Sequence, residues 1–369
     1  MPIYMDRHDV SQTVTAENVA MLHQEDLKVQ HKFGCRGLTY WFDDERKTAF
    51  CLIEAPHEKA IEQMHKYAHG EVPHKIIEVD SSIVDAFLGR IEDPENKNGS
   101  SLNIIEEPAF RILMDIGLDV LSFKNYETFS LSAHIQNYYK AVNEITGTFN
   151  GRIVNYLAGH FLISFKLVSK SVECALLLIE KFREFFPGKN TDFLDIKIGL
   201  SAGIPVTDKA SIFEDSVKLT RRLHYISNAD VVLTSEVKDL YKSENLSQFF
   251  EGDRIFVLPP SDEVFLNRLM DFVEKEWQNS DLKVEHFNRY MGFSKSKLYR
   301  KMMLLTGQSP NTFLLNYRLK RALQLLSKQN GNISEVAFET GFNCPSYFSK
   351  AFRKKFGIVP SDYLYVTDL

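Results

Sequence analysis

Long apolar runs are missing from this chain of 369 residues. None approaches the ~20 residues that a membrane helix needs, so no membrane partner is expected. The first residues, Met-Pro-Ile-Tyr-Met-Asp-Arg-His, lack the basic stretch followed by an apolar one that marks a secretory signal. Cysteine is scarce and scattered (Cys35, Cys51, Cys174, Cys344), with no Cys-x-x-Cys pair. That excludes a disulfide scaffold and suits reduced thiols in a cytoplasm, where the protein is expected. Apolar and charged fractions are ordinary, and the length calls for two or three domains.

A strong net charge is also missing, because the formal value of −5 conceals an uneven distribution. Between Lys283 and Lys355 fourteen basic residues face only Glu285, Glu335 and Glu339, a local balance of +11 that leaves −16 for the remainder. A basic face on an acidic protein is an electrostatic footprint for phosphates. The same stretch repeats itself. Gly307-Gln308-Ser309-Pro310 answers Gly357-Ile358-Val359-Pro360, and Leu298 and Met302 answer Phe348 and Phe352, each at an offset of 50. A fixed offset means one supersecondary unit used twice. The first copy reads as a helix over Val284–Tyr290, a turn at Met291-Gly292-Phe293 and a restart capped by Ser294. The second reads as Ile333–Thr340, a turn at Gly341-Phe342-Asn343 and a restart with Pro345 in its first turn. Helix, glycine turn, helix is a helix-turn-helix.

Arg318-Leu-Lys-Arg-Ala-Leu-Gln-Leu-Leu326, Ile333-Ser-Glu-Val-Ala337, Gly341-Phe342, Ser346-Tyr347-Phe348, Phe352-Arg-Lys-Lys-Phe-Gly357 and Pro360-Ser361 resemble the AraC/XylS family of bacterial transcription regulators. The resemblance covers about the last third of the chain. It implies two helix-turn-helix units joined by a long helix over about Asn311–Ser327, entering successive major grooves of double-stranded DNA ~34 Å apart. The outward positions are Lys295, Ser296, Tyr299 and Arg300 on the first recognition helix, and Ser346, Ser349, Lys350 and Arg353 on the second. Leu298, Met302, Phe348 and Phe352 are expected to be core.

From the other end, Pro2–Asp6 reads as a strand, and Thr15 caps a helix running to about Lys32 that Gly34 stops. Gly37–Asp43 and Thr48–Glu54 form a hairpin around Asp44-Glu45-Arg46-Lys47, a helix follows Pro56 to His69, and Lys75–Val79 is a strand. The order βαββαβ is the ferredoxin-like split, with Val19, Leu22, Phe33, Ile61 and Met64 on the sheet. Seven of the eleven histidines fall here: His8, His23, His31, His57, His65, His69 and His74. His65 and His69 share a helix face at i, i+4. So do His23, Asp26 and Gln30 on the other helix, and Asp6 and His8 alternate onto one side of the first strand. Imidazole mixed with carboxylate suits zinc, nickel, copper or iron, and the lack of thiolate disfavours a closed structural zinc; a divalent ion, nickel or zinc, fits better than copper(I) and is expected on some of Asp6, His8, His23, His65 and His69. The competing reading makes these surface or capping histidines. Tyr4-Met5-Asp6-Arg7-His8, His23-Gln-Glu-Asp26, Tyr40-Trp41-Phe42-Asp43, Phe50-Cys-Leu-Ile-Glu54-Ala-Pro56 and His65-Lys-Tyr-Ala-His69-Gly70 resemble a small bacterial domain family associated with nickel binding.

Residues 81–106 read as a linker, most clearly over the polar stretch Ile91–Ser101. A second α/β pattern follows. Phe110–Ile116 reads as a strand, Leu131–Gly147 as a helix, and Arg152–Leu157 with Phe161–Lys166 as a hairpin around Gly159-His160. Next come a helix over Ser171–Phe186, a strand over Asp195–Gly203, a helix over Phe213–Tyr225, and strands at Val231–Thr234 and Arg254–Leu258. Phe149-Asn-Gly-Arg-Ile-Val, Ile198-Gly-Leu-Ser-Ala-Gly203, Val217-Lys-Leu-Thr-Arg-Arg-Leu223 and Val231-Val-Leu-Thr-Ser-Glu-Val237 resemble a class III nucleotide cyclase domain. That family holds two metal ions on two aspartates. Asp115 matches the first, but His160 stands at the second. Lys218 replaces an asparagine and Asn155 a base-reading lysine, while Arg222 matches and leaves a phosphate contact open. Such a site should not run two-metal chemistry, so the fold is expected to serve as a sensor or a dimer interface.

The fold expectation is therefore a multidomain α+β chain. A ferredoxin-like βαββαβ domain spans 1–80, the linker 81–106, a degenerate cyclase-like α/β domain 107–258, and an all-α double helix-turn-helix domain 259–369. The functional expectation is a transcription regulator and not an enzyme, with metal or small-molecule sensing in its N-terminal domains. Expected partners are double-stranded DNA, a second copy joined through the N-terminal or cyclase-like domain, and RNA polymerase. The rival reading is a nucleotide cyclase with a DNA-binding tail; a third makes both N-terminal domains dimerisation modules without a ligand.

Overall fold

A computed structural model describes residues 1–95, 102–123, 128–157, 160–186, 194–227, 229–244, 254–328 and 331–364, with side chains from 134 onward in the helix that begins at 128 and through 156 in the strand that ends at 157. The first unit is built from β1 (Ile3–Asp9), α1 (Ala16–Val29), β2 (Arg36–Asp43), β3 (Thr48–Glu54), α2 (Glu58–Ala68) and β4 (Lys75–Val79). Its antiparallel sheet runs β2-β3-β1-β4, the ferredoxin-like order. The caps are local chemistry: the Thr15 and Asn18 side chains cap α1 reciprocally, and His57 Nδ1 accepts from the Ala60 amide to start α2. Strand alternation gives the sheet two faces. Tyr4, Val19, Ile61 and Met64 pack between sheet and helices, with Phe33 at the margin. Leu22, expected on the sheet, is only half-buried.

The linker expectation fails at its start. Residues Ser81–Leu88 form a helix, α3, whose first amides are capped by the Asp80 carboxylate. Its apolar positions 83, 84, 87 and 88 share one face, and Val84, Phe87 and Leu88 are buried. Burying three such side chains stabilises the helix by several kcal/mol, at ~1.5–3 each. The described residues from 89 to 106 have no regular structure, yet they are strapped down. Arg90 lies over the Trp41 ring and pairs with Glu107, and the Tyr40 hydroxyl accepts from the Ile105 amide. The most polar part of the expected linker, 96–101, lies outside the described residues.

The second unit contains β5 (Arg111–Val120), α4 (Thr128–Thr148), β6 (Arg152–Leu157), β7 (His160–Phe165), α5 (Val168–Phe185), β8 (Leu194–Gly203), α6 (Glu214–Arg222), β9 (Val231–Thr234), α7 (Ser235–Glu244) and β10 (Ile255–Leu258). Its sheet runs β10-β9-β8-β5-β7-β6, so the first βαββαβ of this unit repeats the strand order of the first domain, and two parallel strands extend it. Helix α7 had no counterpart in the sequence expectation. Ile112, Met114 and Ile116 face α4 and α5, packing on Tyr138, Val142, Leu178 and Ile179. The opposite face offers Leu113, Leu162, Val206 and Phe213 to Met5, Trp41, Phe50, Leu52 and Ile77 of the first sheet, with α3 in the same apolar cluster.

The third unit is helical: α8 (Pro260–Glu276), α9 (Val284–Met291), α10 (Lys295–Thr306), α11 (Pro310–Ser327), α12 (Ile333–Glu339), α13 (Pro345–Phe356) and α14 (Pro360–Tyr363). Gly292 and Gly341, at the two turns, take φ of 69° and 78°, which a glycine adopts without strain. Leu298 and Met302 sit in a core with Phe265, Phe287 and Phe313 that also takes in Leu223, Ile226 and Val232 of the second unit. Phe348 and Phe352 sit in another, with Leu319, Val336 and Phe123. The second unit therefore touches both halves of the helical one. Among the described residues, no helix is long and apolar enough to cross a membrane.

Candidate functional site

On α10, Lys295, Ser296, Tyr299 and Arg300 are exposed; on α13, Ser346, Lys350 and Arg353 are exposed and Ser349 is half-buried. Leu298, Met302, Phe348 and Phe352 are wholly buried. Helical spacing thus divides each helix into a core stripe and an outward polar row. Among the described residues, four of the fourteen cations are engaged within the protein, and two of these are paired with carboxylates. Lys301 is held by Asp262 and Lys320 by Asp119. Arg318 donates to the Trp277 and Asn279 carbonyls at 2.7 and 2.6 Å, and Arg321 to the Tyr317 hydroxyl at 2.9 Å. Arg318 fixes the chain entering α9 against α11, so its role is structural.

In the first unit, β1, α1 and α2 bring Asp6, Asp26, His65 and His69 together beneath the helices. His65 Nε2 lies 2.9 Å from Asp6 Oδ2, and its Nδ1 lies 3.0 Å from Asp26 Oδ2. His69 Nε2 lies 3.2 Å from Asp26 Oδ1 and 3.3 Å from His65 Nδ1. His8 Nε2 approaches Asp6 Oδ1 at 3.5 Å, and the same oxygen accepts from the Cys51 amide. Asp6, Asp26 and His65 are buried. Burial alone would depress the His65 pKa, but hydrogen bonds to Asp26 and Asp6 outweigh it and raise the value to about 10. Burial likewise works against ionised Asp6 and Asp26, and the histidine contacts nevertheless pull both below the usual range. Burial, reinforced by Asp6, pushes the Cys51 thiol well up.

Two expectations change here. His23 does not join the cluster: its Nε2 sits 3.3 Å from Asp93 Oδ2 and its ring packs on Tyr40. Asp26, one turn along, points to α2 in its place. The set also does not lack sulfur, since Cys51 lies within ligand distance of Asp6 and His8. Register explains this, because Asp6 and Cys51 are directly paired strand residues. Ligand atoms of Asp26, His65 and His69 lie within 4.8 Å of one another. With Asp6 behind the far nitrogen of His65, this matches the carboxylate–histidine–metal arrangement, so the residues fit a divalent transition metal.

In the second unit Asp115 is wholly buried, with Oδ1 2.8 Å from His160 Nδ1. His224 Nε2 donates to the Asp115 carbonyl at 2.9 Å, and burial lowers its pKa to about 4, leaving a neutral imidazole. Lys218 is turned to Glu214, and Asn155 is exposed. The phosphate contact left open for Arg222 is closed: its guanidinium is engaged by Asp271 at 2.6 Å, Glu274 at 2.7 Å and Asn267 at 2.9 Å, all on α8. Gly159, part of the hairpin tip in the sequence reading, lies outside the described residues.

Residues 288–365 match the family described as "Helix-turn-helix domain", and residues 4–79 match "Nickel responsive protein SCO4226-like". Over 102 residues the chain is 40% identical to histidine kinase P4 of Formosa agariphila, covering 28% of this chain and 7% of that one. Over 96 residues it is 32% identical to HTH-type transcriptional regulator ExsA of Pseudomonas aeruginosa, covering 26% and 34%. The chain thus spans about a third or less of the length of these relatives. Among solved structures, SCO4226 from Streptomyces coelicolor A3(2) aligns at 30% identity over 21% of this chain and 94% of its own, with a TM-score of 0.20. A bacterial light-regulated adenylyl cyclase aligns at 14% identity over 65% and 86%, with a TM-score of 0.29. The C-terminal segment is a helix-turn-helix domain of the AraC type, and the N-terminal segment is a SCO4226-like domain.

Proposed function

We propose that this chain is a transcription regulator that reads specific double-stranded DNA with α10 and α13, under the control of the two units before them. The division is 1–80, 107–258 and 259–369, with α3 belonging to the packing between the first two. The observation that carries the reading is the pair of exposed polar rows, each backed by a buried stripe and set at the same point of a repeated unit. Lys295, Ser296, Tyr299 and Arg300 on α10, and Ser346, Ser349, Lys350 and Arg353 on α13, are the contact residues. Arg300 has the reach to take a guanine bidentately, and Arg353 serves a phosphate. The test is selection of a bound sequence from random duplexes, followed by titration of variants against it. Arg300→Ala costs ~1–3 kcal/mol and relaxes one base position. A folded Arg300→Ala/Lys350→Ala protein with undiminished affinity refutes the assignment.

The first unit is proposed to hold a divalent metal, nickel or zinc, through Asp26, His65 and His69, with Asp6 orienting His65 and His8 beside it. His23 is left out of this set. The ion would supply a charge that joins α1 to α2 and would replace the proton that Asp26 and Asp6 hold on His65; the chain's own part is to orient His65 through Asp6 on Nε2 and to keep the cluster buried. Dialysis of the purified protein against each metal tests it, and a His65→Ala/His69→Ala protein with unchanged stoichiometry and affinity refutes it. Asp115 without a second carboxylate, and Arg222 already engaged, support a non-enzymatic second unit. Incubation with ATP or GTP and magnesium yields no cyclic product on this reading.

A further inference from the structure

The back face of β5 runs from Leu113, packed on the first unit, through Asp115 and Gly117, to Asp119, paired with Lys320 of α11. At its middle three potential ligands meet. Those of Asp115, His160 and His224 lie within 4.8 Å of one another. The Asp115 carboxylate is only half used: Oδ1 meets His160 Nδ1 at 2.8 Å and His224 Nε2 at 3.4 Å, whereas buried Oδ2 has no hydrogen-bond partner among the described residues. The nearest cation to that oxygen is Arg221 Nε, at 3.7 Å and on an exposed side chain. A buried unsatisfied oxygen costs ~1–3 kcal/mol, more when charged. The two imidazoles lie nearly parallel, 5.3 Å between centroids and 13° between planes. They meet only because residue 117 is glycine: a Cβ there would stand 2.7 Å from His224 Nδ1 and 2.9 Å from His160 Cε1.

We propose that Asp115, His160 and His224 form a second divalent transition-metal site, of the zinc or nickel class, between the second unit and the DNA-reading helices. Two imidazoles and one carboxylate are the set that binds such an ion with three protein ligands and leaves further positions open. Imidazole disfavours magnesium, so this is not a site for two-metal phosphoryl chemistry. The open side faces a cavity of about 720 Å³ lined by His160 and His224 on one wall and by Phe313, Tyr317 and Lys320 of α11 on the other. An ion here would sit where a small oxygen-donor ligand in the cavity could complete its coordination while touching the helix that joins the two helix-turn-helix units. The site is separate from the one under α1 and α2, and neither depends on the other.

The test is metal stoichiometry of the chelator-stripped full-length chain with zinc and with nickel, by dialysis and elemental analysis. The wild type takes two equivalents, His65→Ala/His69→Ala keeps one, His160→Ala/His224→Ala keeps one, and the fourfold variant keeps none. A single wild-type equivalent lost with His65 and His69 overturns this proposal and leaves the first site standing; one lost with His160 and His224 does the reverse. Should the paired His160/His224 variant fail to fold, X-ray absorption of zinc in His65→Ala/His69→Ala decides without altering the new site. Two imidazoles per ion support it, and none or one overturns it. Gly117→Ala gives a third reading, an affinity loss of at least ~10-fold at this site alone, since the imidazoles must part.

Discussion

Two units of this chain share one strand order and use it differently. In the first, Asp6 lies on the central strand beneath α1 and α2, so His65 reaches it from α2 while His8 lies beside it on the same strand. In the second, Asp115 lies on the corresponding strand but on the face away from α4 and α5, and its partners come from β7 and from the turn after α6. One residue of register separates the outcomes, because neighbouring strand positions face opposite ways. The first cluster is enclosed within its own unit. The second opens toward α11, the helix that joins the two helix-turn-helix units. The same topology thus yields an enclosed cluster and an interface cluster, and among the described residues the second is joined by strand and side chain to α11.

The back faces are where the units meet, and the largest effect is expected there. Trp41 is wholly buried in the apolar cluster that both sheets and α3 share. Trp41→Ala should cost ~3–5 kcal/mol and lower the unfolding transitions of both units together. Met64→Ala, under α2 in the first unit alone, should cost ~2–5 kcal/mol and leave the second unit's transition in place. Calorimetry with domain-specific probes checks this. If Trp41→Ala moved only the first unit, the shared core would not couple them.

The next contrast is in pH, read on metal-free protein. His65 has its folded pKa raised to about 10 from an unfolded ~6.5, so its stabilisation is complete below ~6.5 and is lost as pH climbs toward 10. His224 is depressed to about 4, so its contribution is present above ~6.5 and is lost as pH falls toward 4. The first unit should therefore weaken on the alkaline side and the second on the acid side, each by something on the order of 1–3 kcal/mol. Denaturant titrations at pH 5, 7 and 9 test this (settings chosen to straddle the ~6.5 reference). Parallel trends in the two units would defeat it.

Local chemistry was legible in the sequence, and convergence was not. Caps, glycine turns and the repeated spacing placed α9, α10, α12 and α13 to within a residue or two, because those signals are read within one turn. The outward rows followed from helical period alone. Helix α3 was hidden by its polar start, Ser81-Ser82, although its apolar face at 83, 84, 87 and 88 was there to find. The choice between His23 and Asp26 lay beyond periodicity. Both share the inward side of α1, and only packing decides that one meets Tyr40 and the other α2. Cys51 and His224 entered their clusters through strand register and long-range docking. Arg222 was lost to phosphate binding through α8, a helix for which the sequence reading had no place.

The smallest expected effect tests the coupling of the second unit to the helical one through β5. Lys320 on α11 pairs with Asp119 at the end of β5, and both side chains are about one-third exposed, at 32% and 30%. Burial works against the Asp119 carboxylate, and Lys320 more than compensates, holding its pKa below the usual range. A pair this wet is worth little, ~0–1 kcal/mol, because solvent screens it and ordering the lysine costs entropy. Lys320→Met should therefore shift overall stability by under ~1 kcal/mol. Its distinguishing consequence is where the change is felt. Removing the contact frees α11 from β5, so DNA affinity should shift by a few-fold at most, while metal affinity of His65 and His69 stays constant. Side-by-side DNA and metal titrations of the Lys320→Met protein read both. A change at the first unit's site equal to that at DNA would mean the enclosed site is coupled after all, by a route other than this strand.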